Sequence, residues 1–329
     1  MRRSLISVVV IVIILAAGWS GGWFWLASWA DAKATETLQE LSEQGVDIDC
    51  ANRSVGGFPF ALRISCSDTA VAERTTDTQA DLAGVTGGAS VLAPMTVTID
   101  MASPARVASA QLIEPAEMRW EDAAVNVGMG TNGPRDVTFV AEKLEAAFAV
   151  ARIPVSKVTA ESAQGSLAPS AGGGTSGTFV FSDLRISVDG EELPPMTGIV
   201  AGELSVPPRA LLAGRAGMQA PVAARSINIA LESGGARFKA DGEMTVDGEG
   251  IVDGNLVFKI AGVEALPDFI AALPEDWRKV GNAVAGGLLV FGKPTTLDGE
   301  PASELTLEIE RGSASIGPMI EFDLPRLPI

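Results

Sequence analysis

The chain has 329 residues, 47% of them hydrophobic and 5% aromatic, with 36 glycines, so it carries enough apolar surface for one large or two modest domains and does not read as disordered. Its 24 Lys and Arg stand against 41 Asp and Glu, and the net charge of −17 repels nucleic acid and excludes it as a partner. With no His and no Tyr, imidazole bases, Ser-His-Asp and Cys-His nucleophile systems and His-ligated metal sites are all excluded.

Behind Arg2 and Arg3, residues Ser4 to Ala30 form 27 positions without a charge. At about 1.5 Å per helical residue this run exceeds the roughly 30 Å of a bilayer core, so residues 1–30 read as a signal anchor and transmembrane helix. Trp19, Trp23, Trp25 and Trp29 gather at its far end, where indoles settle at headgroup level, and the arginines place the N-terminus in the cytoplasm. A cleaved signal peptide is the competing reading, for which Ala30-Asp31-Ala32 is a poor site. Residues 31–45 continue as a polar juxtamembrane helix, with Leu38 and Leu41 on one side and Gly45 at its end, that spaces the domain from the membrane.

Val46 to Cys66 contains two runs of alternating hydrophobicity about a turn. Val46, Ile48 and Cys50 share a parity with Phe60, Leu62, Ile64 and Cys66, and Gly56, Gly57 and Pro59 supply the turn. Folding back about Phe58 opposes Cys50 and Cys66, the two cysteines of the chain, at a Cα spacing a disulfide bridges. An outward-facing compartment permits such a bond.

Beyond the hairpin, period-two alternation marks strands at Met95, Val97, Ile99 and Met101, then through Val125–Met129, Leu184–Val188, Ile227–Leu231 and Leu305–Ile309. Turn signals fall at Gly87-Gly88, Asn132-Gly133, Asp189-Gly190, Gly234-Gly235 and Asp298-Gly299, so the strands pair as an antiparallel meander. Arg237 to Ile260 forms a second hairpin, turning at Asp247 to Gly250. Its Asp-Gly pairs at 241, 247 and 253 fit hairpin turns better than a calcium-loading array, which wants clustered glycines. Leu266 to Leu288 has helical spacing broken at Pro274, giving two short helices that cover the sheet. Ala163 to Gly177 and Val206 to Pro221 read as loops. The domain plan is therefore β-rich residues 46–205 with the stapled hairpin, a linker at 206–221, and β-rich residues 222–329 with helical cover.

Gly128 to Gly133 and Gly172 to Gly177 both fit G-x-G-x-x-G, but each leads into a strand and not into the helix N-terminus that a dinucleotide pyrophosphate needs. Asp47 with Asp49, and Glu304, Glu308 and Glu310, share strand faces and could serve acid–base chemistry or a cation, yet such spacing is commoner on a solvated face. Asn52-Arg53-Ser54 fits a glycosylation pattern and reads here as turn chemistry.

The run from Cys50 to Phe60, including Asn52, Arg53, Gly56, Gly57, Phe58 and Pro59, stands behind an arginine-led anchor and before Cys66. In this it resembles a bacterial envelope family known as domain of unknown function 2125. The C-terminal half, with its Pro-broken helix near Trp277, its strand through Leu305 to Glu310 and its ending from Ser315 to Pro325, resembles the C-terminal region of AsmA-like proteins. That likeness implies a periplasmic, membrane-tethered sheet with an apolar groove, in a superfamily linked to phospholipid traffic and outer-membrane assembly. Neither resemblance supplies catalytic residues.

The expectation is an α+β chain, mainly antiparallel β-sheet in an elongated curved meander, with few short helices and one N-terminal transmembrane helix. It is expected to be a non-enzymatic periplasmic protein anchored in the inner membrane, without a cofactor or metal. Its partner is a lipid held in an apolar groove walled by Met95, Val97, Ile99 and Met101. The alternatives are an envelope scaffold with a filled core, which binds another envelope protein, and a carboxylate-based hydrolase.

Overall fold

The computed structural model describes the chain apart from residues 1, 75, 111, 132, 151–154, 189, 213–220, 272, 274, 318–319 and 325–329, and in parts of its helices it describes the backbone alone. The expected turn residues Asn132 and Asp189, the helix break at Pro274, the side chain of Trp277 and the ending at Pro325 lie outside the described residues. Two compact units emerge, Met1–Ala110 and Gln111–Ile329, both built mainly of antiparallel strands.

The first unit is one helix and five strands: α1 (Arg2–Glu43), β1 (Val46–Cys50), β2 (Ser54–Gly56), β3 (Ala61–Glu73), β4 (Thr78–Ser90) and β5 (Ala93–Ala108). β1 and β2 both pair with β3, β3 with β4, and β4 with β5, all antiparallel. Residues 31–43 of α1 do not stand clear of the sheet. Ser20, Trp23, Ala27, Ala30, Asp31, Ala34, Leu38, Leu41 and Ser42 recur at helical spacing and are its described buried or half-buried positions, which marks the face that lies on the sheet. Trp19 Nε1–H donates to the Pro59 carbonyl at 3.1 Å just before β3 starts, and Arg74 donates to the Ser42 carbonyl at 3.2 Å just after it ends. The roughly 35 Å of helix between Trp19 and Ser42 therefore runs beside the roughly 40 Å of β3. Among the described residues no helix is long and apolar enough to cross a membrane, and the described side chains of α1 begin at Ile11.

The second unit runs through β6 (Leu112–Arg119), β7 (Asp122–Gly130), β8 (Gly133–Val150), β9 (Val155–Pro169), β10 (Thr175–Val188), β11 (Glu191–Glu192) and β12 (Met196–Leu204). It continues with α2 (Pro208–Leu212), β13 (Val222–Ser233), β14 (Ala236–Val246), β15 (Val252–Ala261), α3 (Leu266–Ala271) and α4 (Glu275–Phe291), and closes with β16 (Lys293–Leu297), β17 (Glu300–Glu310), β18 (Ser313–Ile316) and β19 (Ile320–Asp323). From β7 to β15 nearly every strand pairs with the next, as the meander predicts; β11 is a short spur, past which β10 pairs with β12. The turns at Gly234-Gly235 and Asp298-Gly299 form as expected, each with two consecutive residues at positive φ (57° and 87°, 51° and 85°), the twist that two-residue hairpins prefer.

β6 departs from the meander by pairing with β8 beyond the end of β7, and a later break positions the core. β17 pairs antiparallel with β15 on one side and with β16 on the other, so β15 and β16 run parallel with β17 between them. A connection between parallel strands must cross the sheet face, and α3 and α4 make that crossing. Leu288 of α4 is buried in a cluster with Ile227, Leu256, Ile260, Leu305, Leu307 and Ile316, while Leu266 and Phe291 pack against it. One small residue interrupts a row of large ones across this face: Ile227 opposes Gly242, Gly242 opposes Leu256, Leu256 opposes Leu307 and Leu307 opposes Ile316. A Cβ on Gly242 would stand 2.9 Å from Leu256 Cδ2, so the glycine is what lets that leucine lie flat.

Three expectations change. Gly87 and Gly88 do not turn but lie within β4, where Gly88 lets the Leu62 carbonyl of β3 approach to 2.5 Å from its would-be Cβ. Ala163 to Gly177 is mostly β9 and β10, which pair through Pro169 opposite Thr175 and leave a short turn. The division into units falls after Ala110 and not within 206–221, because β12 and β13 pair directly across that stretch, Leu204 opposite Ala224.

Candidate functional site

The Cys50–Phe60 motif is a fastening. The disulfide forms between Cys50 and Cys66 at a Cα separation of 5.2 Å, but Cys50 lies opposite Thr69 and not opposite Cys66. Pairing lapses between β1 and β2, where Asn52 (φ 48°) and, across from it, Asp68 (φ 53°) both turn left-handed, and the bridge closes diagonally over that gap. Asn52 Nδ2–H donates to Ser67 Oγ at 3.1 Å, and the Ser67 N–H to the Ala51 carbonyl at 3.1 Å, holding the gap shut. Arg53 reaches α1, with Nε 3.0 Å from Asp31 Oδ1 and Nη2 donating to Thr35 Oγ1 at 3.0 Å. Gly57, at φ 99°, lets the Ala61 N–H close onto its carbonyl at 2.9 Å, and a Cβ there would meet the Ala61 oxygen at 2.7 Å. A Cβ on Gly56 would meet nothing. Phe58 sets its ring edge-on to Trp23 and stacked on Phe24, 5.4 Å and 6.0 Å between centroids, and the Pro59 carbonyl receives the Trp19 indole N–H.

The carboxylate groups singled out by spacing are held in ordinary surface contacts. Asp47 accepts from Ser42 Oγ at 2.7 Å and from Arg74 Nη2 at 2.6 Å, and these bonds hold its carboxyl below the usual range, the Ser42 bond first. Asp49, two residues on and on the same face of β1, is exposed. Glu304 sits 3.6 Å from Lys259 and, with Glu308, borders a cleft of about 380 Å³ beside Lys293, while Glu310 is exposed. The three Asp-Gly aspartates all accept protein hydrogen bonds, Asp241 from Asn228, Asp247 from the Glu249 and Ile251 N–H groups, and Asp253 from the Arg311 N–H. Both G-x-G-x-x-G stretches run strand–turn–strand.

Of the four residues expected to wall a groove, Val97, Ile99 and Met101 are half-buried opposite Ala89, Gly87 and Val85 of β4, and Met95 is exposed; none lines the trough found in the second unit. That trough was hidden from sequence because it is made by register. Phe139, Gly165, Phe179, Val200, Ile229, Ala240, Phe258 and Leu305 oppose one another in turn, one continuous apolar row across eight strands. At the C-terminal end, under α3 and α4, Ala240 and Leu305 are 0% and 4% exposed; at the other end Phe179 and Val200 of the same row are 42% and 39% exposed. The neighbouring row is Val137, Leu167, Gly177 and Gly202. Gly165, Gly177 and Gly202 drop the floor between the walls of Phe139, Leu167, Phe179 and Leu204, leaving an open trough of about 450 Å³ whose one charged lining residue among those described is Glu203. α2 lies against β8 and β9.

Fold and site together define an antiparallel β protein with a helix fastened along its first sheet and an open apolar trough on its second. The chain belongs to the family of uncharacterized proteins conserved in bacteria called DUF2125, whose model matches residues 23–320. No curated protein and no solved structure is significantly similar to it.

Proposed function

We propose that this protein is a membrane-anchored, non-enzymatic binder of acyl chains in the bacterial envelope, and that the trough on β8, β9, β10 and β12 is the binding site. The observation that carries the reading is the single apolar row whose two halves differ in cover. The crossover helices bury one half, whereas Phe179 and Val200 of the other stay 42% and 39% exposed although its residues are as apolar. Leaving Phe179 and Val200 in water forfeits roughly 25 cal/mol for each Å² of apolar area, a cost an occupying acyl chain would remove. An elongated floor of glycines between aromatic walls suits a flexible hydrocarbon better than a compact polar ligand, and nearly all the lining is apolar.

The anchor belongs to the same proposal. The uncharged run from Ser4 to Ala30 lies wholly within α1, its length suits a bilayer, and Arg2 and Arg3 favour a cytoplasmic N-terminus. The bulk of the chain is then periplasmic, a compartment in which the Cys50–Cys66 bond is stable. The test is mass spectrometry of the purified chain beside Gly202→Val. A Cβ at Gly202 meets its nearest atom at 3.6 Å, ordinary contact, so the larger side chain fills the trough without disturbing the strand. Loss of a co-purifying acyl species from the variant supports the reading; equal lipid on both proteins, or a peptide in place of lipid, overturns it.

A further inference from the structure

The first unit presents a second apolar surface, at the end where α1 meets the sheet. The turn between β2 and β3 and the turn between β4 and β5 lie side by side there, with the Val91 N–H donating to the Phe60 carbonyl at 2.9 Å. Both turns push large apolar side chains into solvent: Phe58 is 50% exposed, Phe60 64%, Met95 55% and Leu92 91%. A fifth of the chain is charged, yet the two segments that make these turns, Ser54 to Leu62 and Leu82 to Ile99, contain no charge at all.

The level of these turns along α1 is fixed by two hydrogen bonds, Trp19 Nε1–H to the Pro59 carbonyl at 3.1 Å and Trp23 Nε1–H to the Ala61 carbonyl at 2.9 Å. A hydrocarbon core of about 30 Å takes about 20 helical residues. Counted from Ser4, the first position behind the arginines, that length ends at Trp23. The helix therefore leaves the hydrocarbon at the residue that is bonded to the turns. Every described α1 side chain before Ser20 is exposed, so the sheet begins where the bilayer stops.

We infer that the turns carrying Phe58, Phe60, Val91, Leu92 and Met95 insert into the headgroup and acyl boundary of the same bilayer that α1 crosses, so that the first unit is seated on the membrane at two places besides its anchor. The inference rests on the anchor reading. Its chemistry is that of interfacial insertion, in which aromatic and aliphatic tips enter and charged groups stay out. The absence of charge has a particular reason here, because a protein of net charge −17 is repelled by anionic headgroups unless the touching surface carries none. Seating would fix how β3 stands over the membrane, since α1 is bonded just before β3 starts and just after it ends.

The test uses the full chain reconstituted in phosphatidylethanolamine–phosphatidylglycerol vesicles, with one added cysteine bearing an environment-sensitive fluorophore and the native disulfide kept. Leu92→Cys reports the turn, Ile14→Cys reports the anchor, and Gln79→Cys reports the opposite end of β4, on the order of 35 Å away. All three positions are exposed, so the label does not disturb packing. The expected result is blue-shifted emission and several-fold weaker iodide quenching at Leu92→Cys than at Gln79→Cys, with quenching by lipids carrying a doxyl group near the headgroup. If Ile14→Cys is lipid-exposed and Leu92→Cys is as open to iodide as Gln79→Cys, the inference is wrong and the anchor stands. If Ile14→Cys is also aqueous, the anchor reading fails and the inference fails with it.

Discussion

Arg53 stands 3.0 Å from Asp31, joining the gap between β1 and β2 to the C-terminal half of α1. The same guanidinium bonds Thr35, one helical turn further on, so a planar donor array spans two acceptors that a single ammonium could not reach together. Arg53→Ala is expected to lower stability by about 1 kcal/mol, the upper end for a pair this exposed, and Arg53→Lys to recover part of it. Chemical denaturation of the two variants beside the parent checks the order; a lysine variant equal to the parent would mean that the fork geometry does not matter.

Cys50 and Cys66 enclose a loop of 15 residues across a sequence separation of 16. Replacing both by alanine should cost roughly 3 kcal/mol, mainly by freeing the unfolded chain. The measurement is the denaturation midpoint of the double variant against the parent, with native thiol labelling expected to find no free cysteine in the parent.

Asp47 carries a pH dependence. Bonds from Ser42 and Arg74 depress its carboxyl in the folded chain, so its contribution to stability is full above the ordinary carboxylate range, near pH 4, and is lost as pH falls through the folded value. Glu145, bonded by Lys157, acts in the same direction. Asp47→Asn should therefore be less stable than the parent at neutral pH and should lose less between neutral and acid pH. A constant gap between the two proteins across that range would contradict the assignment.

Leu305 is 4% exposed beneath the crossover helices. Leu305→Ala should cost about 3 kcal/mol, as a cavity in a packed core does. Phe179→Ala, in the same row but 42% exposed, should cost under about 1 kcal/mol in lipid-free protein, and more when the trough is filled. Equal losses would mean that the uncovered half of the row is packed in solution.

Much of the strand plan was readable because side-chain alternation and turn chemistry are local. Gly234-Gly235 and Asp298-Gly299 turn where backbone at positive φ is needed, and the Arg237–Ile260 hairpin keeps the register its parity implies, Phe238 opposite Ile260 and Val246 opposite Val252. Gly87-Gly88 misleads because a glycine pair serves a close strand approach as well as a turn, and the difference lies in the partner strand. The disulfide was legible but its register was not, since the left-handed residues Asn52 and Asp68 shift which residues face each other. The apolar run at Met95 to Met101 identifies a face without saying what covers it. The trough needed the pairing of β8, β9, β10 and β12, because Gly165, Gly177 and Gly202 are far apart in sequence and two of them fall in a stretch whose composition reads as loop.

The central claim is that the uncovered half of the row holds an acyl chain, and site-resolved photocrosslinking tests it most directly. The full chain is equilibrated with a phospholipid bearing a diazirine on its acyl chain, irradiated, and digested for peptide mapping, so that lipid around α1 and lipid in the trough are read separately. The account predicts adducts on Phe139, Leu167, Phe179 and Val200 that are depleted at least several-fold in Gly202→Val while adducts on α1 persist. Adducts confined to the first unit, with none between residues 137 and 227, would contradict it.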